Sequence, residues 1–216
     1  MSNSAAYFGF QPVGTSSGMP NFRVTRARVA AGDTTAIYKG DVCSYVSNTP
    51  TGFIKQATAA EFSTNTYNNK VAGIFWGCKY LSTAQKRTVW SPYWPGSDAT
   101  GNVEAYVIDD PEARFVVKGN STAFNITGTT TAWTTSPIGL LATFVVGTGS
   151  TATGLSGSYL AAQTDTTGAK APFVVIDLVT APPGADGTDI LSANNNVIVG
   201  FNAEWLRGNS AITGIS

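Results

Sequence analysis

Histidine is absent from this chain of 216 residues. That removes Ser-His-Asp and Cys-His nucleophile pairs, and every zinc site that needs an imidazole. Cysteine occurs only as Cys43 and Cys78, too few for a four-thiolate metal centre. Both lie in strand-like segments, DVCSYV and GIFWGCKYL. They read as buried free thiols, with a cross-link between them as the other arrangement open. Charge is scarce as well: 12% of residues carry one, and 13 Lys and Arg balance 13 Asp and Glu. A neutral surface with few charges repels its neighbours weakly and suits life in an assembly, although an ordinary neutral extracellular domain would have the same composition. No apolar run is long enough to span a membrane. The opening MSNSAAYFGFQPVG has no basic n-region and no unbroken apolar stretch, so no Sec-type signal is expected.

Basic residues cluster once, in FRVTRARV at 22–29, where Arg23, Arg26 and Arg28 fall close together. Phosphate-driven binding needs more cations on one surface, so nucleic acid is not an expected partner. The three arginines are candidate contacts to carboxylates, on a neighbouring subunit among other places.

What the chain has in abundance is Val, Ile, Phe, Tyr and Thr at a spacing of two, broken by Gly, Asn, Asp and Pro. Strands are predicted at 21–30, 35–46, 52–59, 70–81, 86–92, 102–109, 113–119, 140–147, 171–179 and 195–205. Within NVEAYVID, Val103, Ala105 and Val107 share one face, and Glu104, Tyr106 and Ile108 the other. LLATFVV and APFVVIDL are apolar at nearly every position and read as covered on both faces. The best helix signal is TAAEFSTNTYNNK at 58–70, where Thr58 and Glu61 have capping-box spacing; its Asn and Thr residues allow a turn or two. The fold class is therefore all-β, an antiparallel barrel or sandwich.

Four sections are expected along the chain. Residues 1–20 form an extended arm whose aromatics, Tyr7, Phe8 and Phe10, need a surface on this protein or a neighbour. Residues 21–119 form the main β domain, and 120–170 a Ser/Thr/Gly-rich stretch of irregular strands and loops, with GTGSTATGLSGS at 147–158 flexible by composition. Residues 171–216 supply the strands that complete the core.

Motifs with chemistry are few. GTGSTATG lacks the Lys-Ser/Thr ending and the strand–loop–helix setting of a phosphate loop. IDDPEARF at 108–115 offers Asp109, Asp110 and Glu112, with Glu104 upstream; two carboxylates across a cleft would suit glycoside hydrolysis, and a carboxylate cluster would suit calcium. Adjacent aspartates point apart on extended backbone, however, and Asp-Asp-Pro is turn chemistry. Asp186 and Asp189 in PPGADGTD read the same way, as a solvated turn, and Gly40-Asp41 in YKGD as a strand connection or bulge. The acceptor patterns NST at 120–122 and NIT at 125–127 matter only in a secretory pathway. No catalytic residue, metal site or cofactor is expected. In SPYWPGS at 91–97, Pro92 and Pro95 restrict the backbone around Tyr93 and Trp94, which makes a fixed corner whose rings cover the core or press on a partner.

Several segments taken together carry a resemblance: GFQPVG, MPNFRV, IYKGDVCSYV, KVAGIFWGCKYL, SPYWPGS, VEAYVIDDPEARFVV and NNVIVGFNAEW. The combination resembles tailed-bacteriophage virion proteins that decorate or cement the capsid. It covers much of 9–118 and returns near the C-terminus, while 120–170 has no matching segment. The resemblance implies a β-rich, non-enzymatic protein on the outer surface of the capsid shell, with the major capsid protein and copies of itself as partners, as a homo-oligomer for which a trimer is one arrangement. It implies no membrane or nucleic-acid partner. It supports the fold role of Gly40-Asp41, of the 91–97 loop and of Asp109-Asp110-Pro111, and names no contact residue. Two other readings of the residues stand beside it. One is a carbohydrate-binding β-sandwich of a phage tail or adhesin, with Trp90, Tyr93 and Trp94 as its platform; the other is a minor shell or tail subunit.

Overall fold

The computed structural model describes residues 3–46, 52–62, 71–120, 124–129, 132–162 and 171–202. In chain order its strands are β1 (Gln11–Thr15), β2 (Val24–Val29), β3 (Ile37–Tyr38), β4 (Val42–Tyr45), β5 (Ile54–Gln56), β6 (Val71–Leu81), β7 (Thr88–Ser91) and β8 (Tyr93–Trp94). Then follow β9 (Val103–Ile108), β10 (Ala113–Lys118), β11 (Thr127–Thr129), β12 (Ala132–Thr135), β13 (Leu141–Val145), β14 (Tyr159–Ala162), β15 (Phe173–Leu178) and β16 (Asn196–Phe201). The protein is all-β and almost wholly antiparallel, as its period-two patterning predicts. One turn of 3-10 helix, Ala59–Phe62, stands where a helix is expected at 58–70; residues 63–70 lie outside the described set. The Glu61 carboxylate accepts hydrogen bonds from Ser44 Oγ and Lys55 Nζ, both at 2.6 Å.

Two large sheets make the body. The first runs β1-β10-β16-β15-β13-β14 and the second β2-β9-β6-β4-β5, with β7 also paired to β6. Both curl. In the second, Phe53 beside β5 bridges Arg28 of β2, so its two edges meet. In the first, Gly119 bridges Leu160 of β14, and the Gly9 amide donates to the Ser158 carbonyl at 3.0 Å.

Three strands of the second sheet are covered on both faces. Val42, Ile74 and Ile108 point into the core shared with the first sheet, among Phe10, Phe115, Phe144 and Phe173. Their neighbours Cys43, Phe75 and Val107 point into the hollow of the second sheet, with Trp94, Tyr80 and Val103. Two bulges adjust β6 so that it can serve both. Residue 72 is skipped in the pairing with β4, and Trp76 in the pairing with β9. Each extra residue shifts the alternation by one place, which returns Cys78 and Tyr80 to the interior and leaves Trp76 outside. Cys43 and Cys78 are buried free thiols, and burial pushes the Cys78 thiol up to about 12.

Three expectations change. The segment read as an arm is part of the first sheet: β1 pairs with β10 over Gln11↔Val116 to Thr15↔Ala113, and Phe10 is fully buried. The aromatic run needs a surface, and this chain's own core supplies it. The strands at 140–147 and 171–179 are buried on one face and only half-covered on the other, where Leu141 faces Val174. The glycine-rich loop at 147–158 is fixed rather than free, and its composition has a different cause. A Cβ at Gly149 would collide with the Tyr38 ring, and one at Gly154 with the Pro92 ring. Small residues here let the loop lie directly on β3 and on the corner between β7 and β8, which pairs with β3 in a small sheet of its own.

That loop is held by Asp41. The carboxylate, 1% exposed, accepts Ser156 Oγ at 2.5 Å and Ser158 Oγ at 2.8 Å on Oδ1. On Oδ2 it accepts the Tyr38 amide at 2.8 Å and Gln56 Nε2 at 2.7 Å. Backbone bonds add to the joint: the Lys39 amide donates to Gly154, and the Ser156 amide to Lys39, each at 2.9 Å. A buried carboxylate with four donors is stable where one with none would not be. We expect Asp41→Ala to cost on the order of 3 kcal/mol, because it strands buried donors. Asp41→Asn should cost only about 1 kcal/mol, because the two serine hydroxyls can turn to accept from the amide. Urea unfolding of the two variants measures the difference; equal midpoints would remove the carboxylate from this role.

Candidate functional site

The outer face of the second sheet carries an apolar groove of about 380 Å³, lined by Val24, Trp76, Gly77, Trp90, Pro92 and Tyr106 among others. It follows from the alternation of β9 and β7 and from the bulge in β6. Glu104 and Tyr106 are on the outward side of β9, and Trp90 is on the outward side of β7, 66% exposed. The Trp90 and Tyr106 rings stack at 5.6 Å and 13°. Trp76, on the opposite face of β6 from Phe75, meets the edge of Phe22 at 5.8 Å.

Cations ring the groove. Lys39 Nζ lies 3.6 Å from the Trp76 ring centre and Lys79 Nζ 5.1 Å from that of Trp90, attractive positions over the negative faces of the rings. Neither lysine is in an ion pair among the described residues. Arg26 pairs with Glu104 at 3.3 Å, and Glu104 also accepts the Tyr106 hydroxyl at 2.8 Å. Beside the groove, Arg26, Arg28, Asn102 and Glu104 line a second, polar hollow of about 500 Å³.

The residues singled out from the sequence fall in different places. Arg23 and Arg26 meet carboxylates of their own chain: Arg23 Nε donates to Asp109 Oδ1 at 2.9 Å, and its Nη2 to the Asp109 carbonyl at 3.0 Å. Arg28 is exposed at the polar hollow, in no ion pair among the described residues. Asp110 accepts the amides of Glu112 and Arg23, so Asp-Asp-Pro is a turn that anchors β2. Tyr7 stacks on Tyr159 at 4.2 Å, and the Phe8 carbonyl accepts Gln11 Nε2. Phe10, in the core, is not available to a partner.

SPYWPGS is a corner with one ring inward and one outward. Trp94 is fully buried, its indole nitrogen 3.4 Å from the Asp33 carbonyl and its ring edge-on to Tyr80. Tyr93 is half-buried and stacks on Tyr38 at 5.3 Å and 9°. Trp90, Tyr93 and Trp94 therefore do not form one platform: a buried Trp94 cannot meet a sugar, and Trp90 has Tyr106 as its partner instead. Nothing in the local pattern singles out Trp76, Tyr106, Lys39 or Lys79, whose grouping depends on strand pairings distant in sequence.

At the far end of the molecule the loop at 182–195 is tied down by residues remote in sequence. Asn3 Nδ2 donates to the Asp189 and Ala193 carbonyls and to Asn195 Oδ1, and Asn3 Oδ1 accepts the Gly187 and Asp189 amides. Lys118, 1% exposed, donates to Asp186 Oδ2 and to the Ser4 carbonyl. Asn125 Nδ2 donates to the Leu191 carbonyl at 3.3 Å, and Asn125 is itself buried, which closes the NIT pattern to modification. Asp186 and Asp189 serve turns, and among the described residues no group of three His, Cys, Asp or Glu could hold a metal ion.

The hydrogen bond from Lys118, with help from the Ser4 amide, lowers the Asp186 carboxyl from 3.8 to about 2. A depressed folded value adds stability above the unfolded value of 3.8 that is lost as pH falls through about 2. We expect Asp186→Asn to flatten that acid limb and to lower the melting temperature at neutral pH, since Lys118 keeps its charge in a buried place. Melting curves across that range check it, and an unchanged acid limb would exclude Asp186 as its source. No protein-family model, curated protein or solved structure matches this chain.

Proposed function

We propose that the protein is a non-enzymatic structural component of a tailed-bacteriophage virion, attached to the outer surface of the major capsid shell and stabilising it through contacts to the shell and to copies of itself. The observation that carries this reading is the apolar groove on the outer face of the second sheet, with Trp90 exposed on a rigid strand and no segment of the described chain covering it. Exposed aromatic surface on a fixed scaffold is characteristic of interfaces with other proteins. A second apolar surface supports it: Ile138 and Leu140, each 46% exposed, stand next to the half-covered Leu141 and Val174 on the first sheet. Sparse charge suits both surfaces, and the resemblance to capsid-decorating proteins supplies the shell as the partner.

The sugar-binding alternative is less well served. The two hydroxyl residues lining the groove are already engaged, Ser91 donating to the Tyr93 carbonyl at 2.6 Å and Tyr106 to Glu104 Oε1 at 2.8 Å. Sugar hydroxyls would find few partners, whereas apolar side chains would find many.

Attachment through an arm of residues 1–20 is not part of this proposal. Removing them would delete β1 and Phe10, and Phe10→Ala alone should cost roughly 3–5 kcal/mol. The test is to add the purified chain to shells that lack it and to count copies per particle by cryo-EM or quantitative mass spectrometry. We expect saturable, symmetric occupancy and a higher temperature of shell rupture; no density on the outer surface would sink the reading.

A further inference from the structure

Two exposed features of this molecule are complementary to each other, and they lie on different sheets. One is the groove, apolar inside and cationic at its rim through Lys39 and Lys79, with Arg26 beside them paired to Glu104. The other is the tip of the 182–195 loop, where Leu191 is 62% exposed and Asp189 stands two residues before it. The backbone that presents this leucine is held in place. Its carbonyl is held by Asn125 and its amide by Asp189 Oδ1 at 3.2 Å; the Ile190 carbonyl next to it accepts the Ile126 amide at 2.9 Å. Asn3 fixes the backbone on both sides. The ordering cost of presenting this side chain is already met within the folded chain, which favours binding. Among the described residues no Lys or Arg is in an ion pair with Asp189; its Oδ2 accepts Ser192 Oγ at 2.6 Å while Oδ1 holds the Leu191 amide, so the negative charge is fixed in place beside the leucine.

We propose that the groove of one copy receives Leu191 of a second copy, with Asp189 of that copy set against Lys79 and Lys39. The inference deepens the self-association in the function proposed above and names its two halves. Because groove and knob are different surfaces, the joint is head-to-tail: each copy gives a knob and takes one, and the assembly closes into a ring if the rotation between copies allows. The groove volume is ample for one leucine side chain, and the flanking charges set the orientation rather than most of the affinity.

The test uses the full chain in sedimentation equilibrium and velocity runs over a wide concentration range. Wild type should self-associate, and Trp90→Ala and Leu191→Asp should each weaken association at least about tenfold, with circular dichroism unchanged. Mixing the two variants should restore dimers and nothing larger, because one supplies an intact knob and the other an intact groove. Lys79→Glu should weaken the joint and Lys79→Glu with Asp189→Lys should recover part of it. A wild type that stays monomeric, variants that associate normally, or a mixture that forms no dimer would each overturn the joint. Leu191→Asp, which leaves the groove whole, is then added to shells. Normal shell occupancy by this non-associating variant leaves attachment standing on its own; a self-associating wild type that does not load leaves the joint standing and removes attachment.

Discussion

The structure depends on one buried carboxylate. Asp41 sits at the turn between β3 and β4 and gathers donors from the second sheet and from the loop that leads out of the first. Apolar packing brings the sheets together, but packing alone is tolerant of sliding, since one aliphatic surface accepts another in many registers. Four directed hydrogen bonds on a group that must have them do not tolerate it. With this contact set, the loop at 147–158 lies on Tyr38 and Pro92, Tyr38 lies on Tyr93, and the proline-framed corner is fixed. The groove inherits its rigidity through Pro92 and Ser91, which lie on its wall.

Much of this was legible in the sequence. Alternation in NVEAYVID gave the facing of β9 correctly, with Val103, Ala105 and Val107 in the hollow and Ile108 in the shared core. The Asp-Asp-Pro turn, the unpaired cysteines and the all-β class also follow from local chemistry. What could not be read was pairing at a distance. Phe10 looks like an anchor in search of a surface, and only the fold reveals that the surface is Phe115, Phe144 and Phe173. The flexible look of GTGSTATGLSGS arises because close backbone approach and chain freedom both favour glycine.

The candidate site was the least legible part. Trp90 stands out in the sequence, but its partners Tyr106 and Lys79 come from β9 and β6, and pairing between strands leaves no local trace in the sequence. The proline-flanked pair was the more conspicuous feature and turned out to be divided, with Trp94 holding the interior and Tyr93 supporting the joint. A knob such as Leu191 is equally hard to see, because one leucine among Gly, Asp, Ser and Asn reads as an ordinary loop residue until its exposure is known.

The order of strands in the first sheet bears on how the protein is made. Residues 24–108 supply the second sheet from one continuous stretch, so it can pair as soon as that stretch leaves the ribosome. The first sheet has β16 between β10 and β15, and its edge strand β1 comes from the very start of the chain. Nearly two hundred residues of synthesis separate β1 from the last strand that completes its sheet, and contacts so distant in sequence are slow to form. The strand of this sheet that is made first is thus in the sheet that closes last, and for that interval the apolar face around Phe10 has only part of its cover.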